Sequence, residues 1–464
     1  MIATELYPYQ QEAVAKLSKL RVMALYMEMG TGKTRTMLEI IQQKINKGKV
    51  DAVLWLCPCS VIHNLKEEIR YQCGEIPAYI KVTGIQSVQG SDRIYMQLLE
   101  YASSRRVFLV VDESNLVKNF FAKRTKRIIE ISRKCPYRAI LNGTPVSKNE
   151  ADMFAQWYIL DERILGYKSY YSFAANHIEF RTIRLPDGRE IQTDEISRVL
   201  NVDYLTEKIA PYSYQILKKD INITLPEKIY KNRHFYLTEQ QQEEYENTRM
   251  AFLENVDEFR PETIYKLFTA LQHVSSGRRV TSDPYSHMTT ENMFRWDENP
   301  RIQCLDGILD EIGDEQAIIF AKYKSEIEEI ESLIESRNLT YREFTGRVNR
   351  RRRDENRDAF KEGVQFLIAN KMCGAYGLNL QFCHNVIFYS NDFDYATREQ
   401  AEDRVHRIGQ THNVTIYDIC AYNTIDSFID DNLNRKMSLV SAFKRWISEQ
   451  QNKDIKNLLN DTLS

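Results

Sequence analysis

The sequence predicts an α/β protein built from two successive parallel sheets, and three observations lead there. Four short apolar runs, Val22 to Tyr26, Asp51 to Cys57, Val107 to Val111 and Arg138 to Leu141, have the continuous hydrophobicity of strands buried on both faces. Segments of helical spacing separate them, and strands alternating with helices make a parallel sheet. The same alternation resumes in the second half, at Ala317 to Ala321, Leu339 to Phe344, Val364 to Ala369, Asn385 to Tyr389 and Val414 to Asp418. At 464 residues the chain is also too long for one ordinary core.

Leu6 to Val14 opens the chain, with Pro8 as the first-turn proline of an amphipathic helix. The Gln10 carboxamide in that helix offers the donor–acceptor pair that matches an adenine edge. The strand at 22–26 runs into Met27-Glu-Met-Gly-Thr-Gly-Lys-Thr34, and a helix with Met37, Ile40, Ile41 and Ile45 on one face follows. Strand, glycine-rich turn and helix form the setting of a phosphate-binding loop. Gly30, Thr31 and Gly32 let backbone N–H groups curl around an anion, and the helix N-terminus adds favourable partial charge. Lys33 supplies a point charge for the outer phosphates, and the Thr34 hydroxyl is suited to magnesium. The usual pattern, Gly-x-x-x-x-Gly-Lys-[Ser/Thr], has glycine where Met27 stands here.

The strand at 51–57 ends at Pro58-Cys-Ser60, before a helix carrying Leu65 and Ile69. The strand at 107–111 delivers Asp112-Glu113. An aspartate at the end of a buried parallel strand, beside a phosphate loop, sits where magnesium would be held. The adjacent Glu113 is placed to orient or deprotonate an attacking water. The fourth strand delivers Asn142-Gly-Thr-Pro145, so the loops at the carboxyl ends of the strands converge on one crevice.

Residues 151 to about 224 are helical in pattern and tyrosine-rich. Thr182 to Leu185 and Arg189 to Gln192 flank Pro186-Asp-Gly188 and predict a β-hairpin. Farther on, Tyr230 to Leu237 predicts a strand, Glu239 to Phe259 and Glu262 to Ser275 predict helices, and Arg278 to about Pro300 an irregular connector. Cys373-Gly-Ala-Tyr-Gly-Leu-Asn-Leu380 is punctuated by glycine, as backbone must be where it approaches a ligand or another domain. Gln400 to Gln410 spaces Arg404 and Arg407 three apart, hence on one helical face. The donor fork of arginine suits charge dispersed over phosphoryl oxygens.

Composition sets limits. Hydrophobic content of 43% and charged content of 28% describe a globular chain, with no apolar run of membrane-spanning length and no signal-peptide layout, so a cytoplasmic protein is expected. A net charge of −2 does not announce a nucleic-acid binder. Taken alone, Lys123 to Arg127 and Arg350 to Arg353 read as solvated helix faces. The eight cysteines form no Cys-x-x-Cys pair and the eight histidines no ligand-spaced cluster, which predicts reduced thiols and no structural metal.

Taken in order, Tyr9-Gln10, Gly30-x-Gly-Lys-Thr34, Pro58 with Ser60, Asp112-Glu113-Ser-Asn-x-x-Lys-Asn119 and Leu141-Asn-Gly-Thr-Pro145 resemble the first motor lobe of superfamily two helicases, specifically the Swi/Snf-type DNA translocases. Gln400-Ala-Glu-Asp-Arg-Val-His-Arg-Ile-Gly-Gln410 resembles the family's last motif, and Asn423 to Asp426 with the helix to Lys436 its closing brace helix. The resemblance runs from Tyr7 to about Lys444. It departs from the family at Ala375, where a second glycine is usual, and at Gln215-Ile216, near which an arginine pair usually precedes Lys218.

The resemblance implies two RecA-like lobes. Residues 1–224 would be the ATP-binding lobe with a helical insertion at about 151–224. Residues 225–445 would be the second lobe with an insertion at about 238–298, and 446–464 a helical tail. It implies a DNA-dependent ATPase using ATP and Mg²⁺, monomeric and nearly bare of reader domains, as compact bacterial or phage versions are, working in the bacterial host cytoplasm if phage-encoded. Lys33, Asp112, Glu113, Gln400, Arg404 and Arg407 would be catalytic, with Thr34 and Asp112 on the metal. DNA contacts would come from Ser60, Thr83, Lys118, Asn119, Arg347, Gly374 and Asn379, and Thr144 and Gly377 would couple the ATP site to DNA. An accessory or single-strand-binding protein is a further implied partner. Two alternatives stay open: a strand-separating helicase using the hairpin at Pro186-Asp-Gly188 as a pin, and an ATP-dependent clamp that does not step.

Overall fold

Continuous apolar runs become the centres of two sheets in a computed structural model of the chain, which describes residues 2, 4–143, 150–184, 190–221, 225–254, 261–281, 288–370, 380–393, 395–407 and 409–434. The chain divides into two compact units, Met1–Ile223 and Thr224–Ser464. In the first, β1 (Val22–Met27), β2 (Ala52–Cys57), β3 (Ile80–Gly84), β4 (Val107–Val111) and β5 (Tyr137–Asn142) build most of the sheet. After the hairpin β6 (Ile178–Arg184) and β7 (Glu190–Val199), the strand β8 (Ser213–Ile216) returns to it. The order is β3-β2-β4-β5-β1-β8, parallel throughout.

Alternate residues of each strand feed two cores, as the strand period of two requires. Tyr26, Leu54, Leu56, Leu109 and Val111 pack with Trp157 and Phe173 of the insertion on one face. Leu25, Met27, Val53, Trp55 and Val110 pack with Val14, Met37, Ile41 and Ile69 on the other. Pro8 stands at the first turn of the helix Pro8–Leu17.

The second unit repeats the plan with β9 (Lys228–Phe235), the small hairpin β10 (Arg278–Thr281) and β11 (Thr289–Asn292), then β12 (Ala317–Phe320), β13 (Tyr341–Phe344), β14 (Phe366–Ala369), β15 (Asn385–Phe388) and β16 (Val414–Ala421). Its sheet runs β13-β14-β12-β15-β16-β9, also parallel throughout. Helices Glu239–Glu254 and Pro261–Ser275 form its insertion, and Ile425–Asn434 its last described helix. Two parallel six-stranded sheets flanked by helices are the α/β, RecA-like architecture that the sequence predicts.

The differences lie at edges. β3 and β8 are strands that the apolar pattern did not announce, because Ile80-Lys-Val-Thr-Gly84 and Ser213-Tyr-Gln-Ile216 are short and mixed in polarity, as edge strands are. The connector after Arg278 contains an antiparallel pair, with Arg278 opposite Asn292 and Thr281 opposite Thr289. Its residues are almost all polar and give no alternation to read. The hairpin at β6 and β7 is longer than its turn signal suggested, reaching from Ile178 to Val199, and residues 185–189 lie outside the described ones.

Two buried arginines fasten the second unit. Arg301, fully buried, donates to the Tyr389 carbonyl at 2.7 Å and pairs with Asp426, joining the helix Pro300–Ile312 to the brace helix. Arg398 donates to Glu402 Oε1 at 2.7 Å and to Asp418 Oδ2 at 2.8 Å while lying over the Phe388 ring, 3.5 Å from its centroid. Removing one partner of such a set leaves a buried charge uncompensated, which costs about 3–5 kcal/mol. Arg398→Ala is therefore expected to remove that much unfolding free energy from the second unit. Urea titration followed by hydrogen exchange in second-unit peptides covering 385–389 and 414–421 measures it, and a loss below about 1 kcal/mol would contradict the assignment.

Candidate active site

The loop between β1 and the helix Lys33–Asn46 is shaped by glycine. Gly30 has φ +80° and Gly32 φ +83°, in the left-handed region that side chains resist. A Cβ on Gly32 would also lie 2.2 Å from Gln10 Nε2. Gly32 is the N-cap of the helix and, lacking a side chain, supplies no cap of its own. The first amides of a helix have no partner within it, so this end presents donors and partial positive charge.

The loop is pinned through Thr31. Thr31 N and Oγ1 donate to the Glu28 carbonyl at 3.2 and 2.7 Å. The Thr31 carbonyl accepts from Tyr9 OH at 3.0 Å and from Gln10 Nε2 at 3.1 Å. The other end of the Gln10 amide accepts Tyr7 N at 3.0 Å, and Gln10 is only 2% exposed. In this conformation Gln10 therefore braces the phosphate loop from behind, and reading an adenine edge would require it to exchange those partners. Lys33 Nζ donates to the Met27 carbonyl at 2.8 Å.

Asp112 follows β4, whose end lies on the same edge of the parallel sheet as the end of β1. Burial, then the neighbouring Glu113, push its carboxyl up to about 6, against the pull of the nearby Lys33 ammonium. Glu113 N donates to Asp112 Oδ1 at 2.9 Å, and Glu113 itself adopts φ +49°. A left-handed non-glycine residue costs of order 1–3 kcal/mol and is tolerated where the surroundings fix it. Here a 3₁₀ turn, Ser114–Val117, fixes it, with Ser114 Oγ donating to the buried Gln156 at 2.5 Å. A buried carboxyl that burial and a neighbouring carboxylate make reluctant to ionise, beside the Lys33 ammonium, is an oxygen donor that further positive charge would stabilise in its ionised form. Such a donor fits a hard divalent cation.

The other first-unit residues singled out by sequence divide. The turn that carries Ser60 follows β2 beside the end of β3 that carries Thr83: Leu56 and Cys57 pair with Thr83 and Gly84, and Gly84 lets Cys59 Sγ approach to within 2.2 Å of where a Cβ would stand. Lys118 pairs with Asp152 at 3.0 Å, and Asn119 Oδ1 accepts Phe121 N at 2.9 Å. Thr144 lies outside the described residues.

In the second unit the helix Tyr395–Glu402 carries Gln400 but ends before the arginines. Residues 403–407 continue as successive turns, with Arg404 N donating to Ala401 O at 3.3 Å and Arg407 N to Val405 O at 3.2 Å. The expectation that Arg404 and Arg407 share one helical face is corrected accordingly. The physical reason is the burial of Val405, which anchors the turn in the core while Leu380 N takes the Arg404 carbonyl at 3.1 Å. Gln410 is structural, its amide holding Cys383 O at 2.9 Å. Arg347 is surrounded by carboxylates, Glu343 at 2.9 Å, Glu331 at 3.1 Å and Glu328 at 3.3 Å, which raise its pKa further. A phosphate would have to displace them. Gly374, Gly377 and Asn379 lie outside the described residues.

Residues 9–286 match the SNF2-related domain, and residues 300–409 match the helicase conserved C-terminal domain. An uncharacterized ATP-dependent helicase of Mycoplasma pneumoniae is 24% identical over 460 residues, covering 94% of this chain and 42% of that protein. Chromodomain-helicase-DNA-binding protein 1-like of Danio rerio is 24% identical over 475 residues, covering 95% of this chain and 44% of that protein. The chain thus spans less than half the length of these curated relatives. Among solved structures, the Sulfolobus solfataricus SWI2/SNF2 ATPase core in complex with dsDNA is 22% identical with a TM-score of 0.41, covering 97% of this chain and 95% of that one.

A carboxyl whose folded-state pKa lies above its unfolded value stabilises the fold in its protonated form. That contribution is complete below about pH 4 and is lost as pH rises through about 6. Asp112→Asn keeps a neutral group at every pH. The variant is expected to melt higher than the parent chain at pH 8, by roughly 1–3 kcal/mol of stability, with the gap closing toward pH 4. Equal melting temperatures at pH 8 would contradict the account of Asp112.

Proposed function

The chain belongs to the SNF2-related family, and on that premise we propose that it is a DNA-dependent ATPase that spends ATP on movement along DNA. The observation that carries the reading is the meeting, on one edge of the first sheet, of a glycine-shaped helix start bearing Lys33 and the carboxylate pair Asp112-Glu113. The names of its relatives, ATP-dependent helicase and helicase-DNA-binding protein, point the same way.

In this reading residues 1–224 are the ATP-binding lobe and 225–445 its partner lobe. Gly30, Thr31 and Gly32 offer backbone amides to the phosphates, and Lys33 leaves the Met27 carbonyl to hold the outer ones. Thr34 and Asp112 would hold Mg²⁺, which neutralises charge on the phosphate oxygens when bound. Glu113, held by its turn, orients the attacking water and takes its proton. Gln400, Arg404 and Arg407 of the second lobe engage the γ-phosphate, so hydrolysis removes a group that both lobes grip. Gln10 reads adenine once it releases Thr31.

DNA is held through its phosphates by Ser60, Thr83, Lys118, Asn119, Arg347, Gly374 and Asn379, with Thr144 and Gly377 linking that grip to the nucleotide. Such contacts are sequence-blind and salt-sensitive. A second reading, strand separation on forked DNA, is favoured by the hairpin β6–β7, whose antiparallel ladder reaches from Ile178 to Val199.

Lys33→Ala and Arg407→Ala are each expected to cut DNA-stimulated ATP turnover by about 10³-fold, the lower end of what an arginine finger supplies, with unchanged circular dichroism. Full activity in either would sink the mechanism. Strand displacement on a forked substrate, with and without residues 182–192, separates the two readings. Unwinding that survives the deletion dismisses the hairpin as a pin.

A further inference from the structure

One side chain of the phosphate loop reaches away from the nucleotide side, to the segment by which the chain leaves the first unit. Glu28 N donates to the Ile216 carbonyl at 3.1 Å, continuing the pairing of β1 with β8. The Glu28 carbonyl accepts both donors of Thr31, and its carboxylate Oε2 accepts Lys218 N at 2.8 Å. Lys218 opens a one-turn 3₁₀ helix, Lys218–Asp220, directly after β8. The next described strand is β9 of the second unit.

A second route joins the same two places. On the helix Pro8–Leu17, Tyr9 and Gln10 hold the Thr31 carbonyl. Farther along that helix, Glu12 Oε2 accepts Tyr214 OH, in β8, at 3.1 Å. Both routes start at Thr31 and end within four residues of Lys218.

We propose that Glu28 is a positioning residue that couples the state of the phosphate loop to residues 217–221, the exit of the first unit. The proposal rests on the reading of the loop as an ATP site. A carboxylate accepting a backbone N–H makes one of the stronger hydrogen bonds available, so it fixes the exit turn firmly. The same residue cannot keep its geometry when the loop is rebuilt. Phosphates draw the amides of residues 30–33 toward themselves and draw Lys33 off the Met27 carbonyl, next to Glu28. The Thr31–Glu28 turn must shift, and the carboxylate shifts with the backbone that bears it. Thr31 thereby reports phosphate, and Lys218 receives the report. The partners lie 190 residues apart in sequence, which hid the link from the loop motif.

Hydrogen–deuterium exchange of the full chain tests this, with and without Mg²⁺ and a non-hydrolysable ATP analogue. In the parent protein, exchange in a peptide covering 217–221 is expected to change at least threefold on nucleotide addition. Glu28→Ala is expected to abolish that response while nucleotide still protects 28–34, and to lower kcat for DNA-stimulated turnover more than it alters KM for ATP. Glu28→Gln keeps an acceptor oxygen and is expected to restore the response. If 28–34 gains protection in the parent chain while 217–221 stays indifferent, or if Glu28→Ala retains the response, the coupling is overturned. If 28–34 itself shows no protection, the ATP-site reading fails instead.

Discussion

Much of the first unit follows from a helix that starts without a side-chain cap. The helix Lys33–Asn46 begins on Gly32, in a conformation and against a Gln10 contact that exclude any side chain, so the N-cap itself has nothing with which to cap the first turn. Across β5, Asp112 presents the complementary imbalance, a buried carboxyl raised by burial and by Glu113. One feature wants an anion and the other a cation. In the proposed ATP site a magnesium-bound phosphate would satisfy both.

The second unit uses charge for a different end. Its arginines Arg301 and Arg398 are consumed internally, pairing with Asp426 and with Glu402 and Asp418. Lys228 Nζ adds a contact to Glu402 Oε2 at 2.8 Å, so the first residue of β9 helps hold the helix that leads to Arg404 and Arg407. The chain leaves the first sheet through the edge strand β8 and enters the second through the edge strand β9. Each of these edge strands contacts an element that the proposed chemistry needs: β8 the phosphate loop through Glu28, β9 the arginine segment through Lys228 and Tyr230.

The central strands were legible because burial on both faces demands unbroken apolar runs, and Val107 to Val111 or Val386 to Phe388 have no other economical use. The phosphate loop and Asp112-Glu113 were legible because their chemistry is local in sequence. Edge strands were not, since Ile80 to Gly84 and Ser213 to Ile216 need only one apolar face. Long-range polar contacts were equally silent. Nothing near Arg301 announces Asp426, 125 residues on, and nothing near Glu28 announces Lys218. The spacing of Arg404 and Arg407 suggested a helix, but helical periodicity cannot register a turn held by the burial of Val405 and the Leu380 amide. Arg347 matched a DNA-contact position, while the three glutamates around it come from two separate elements, the helix Lys324–Ser336 and β13.

The central claim is that nucleotide turnover in this chain is coupled to travel along DNA. Steady-state phosphate release with duplexes of increasing length tests it most directly. A translocating motor turns over ATP faster on longer duplexes until dissociation from the ends ceases to matter. Turnover that rises with length to a plateau is the predicted result. Turnover indifferent to duplex length, or absent with every nucleic acid tried, would contradict it.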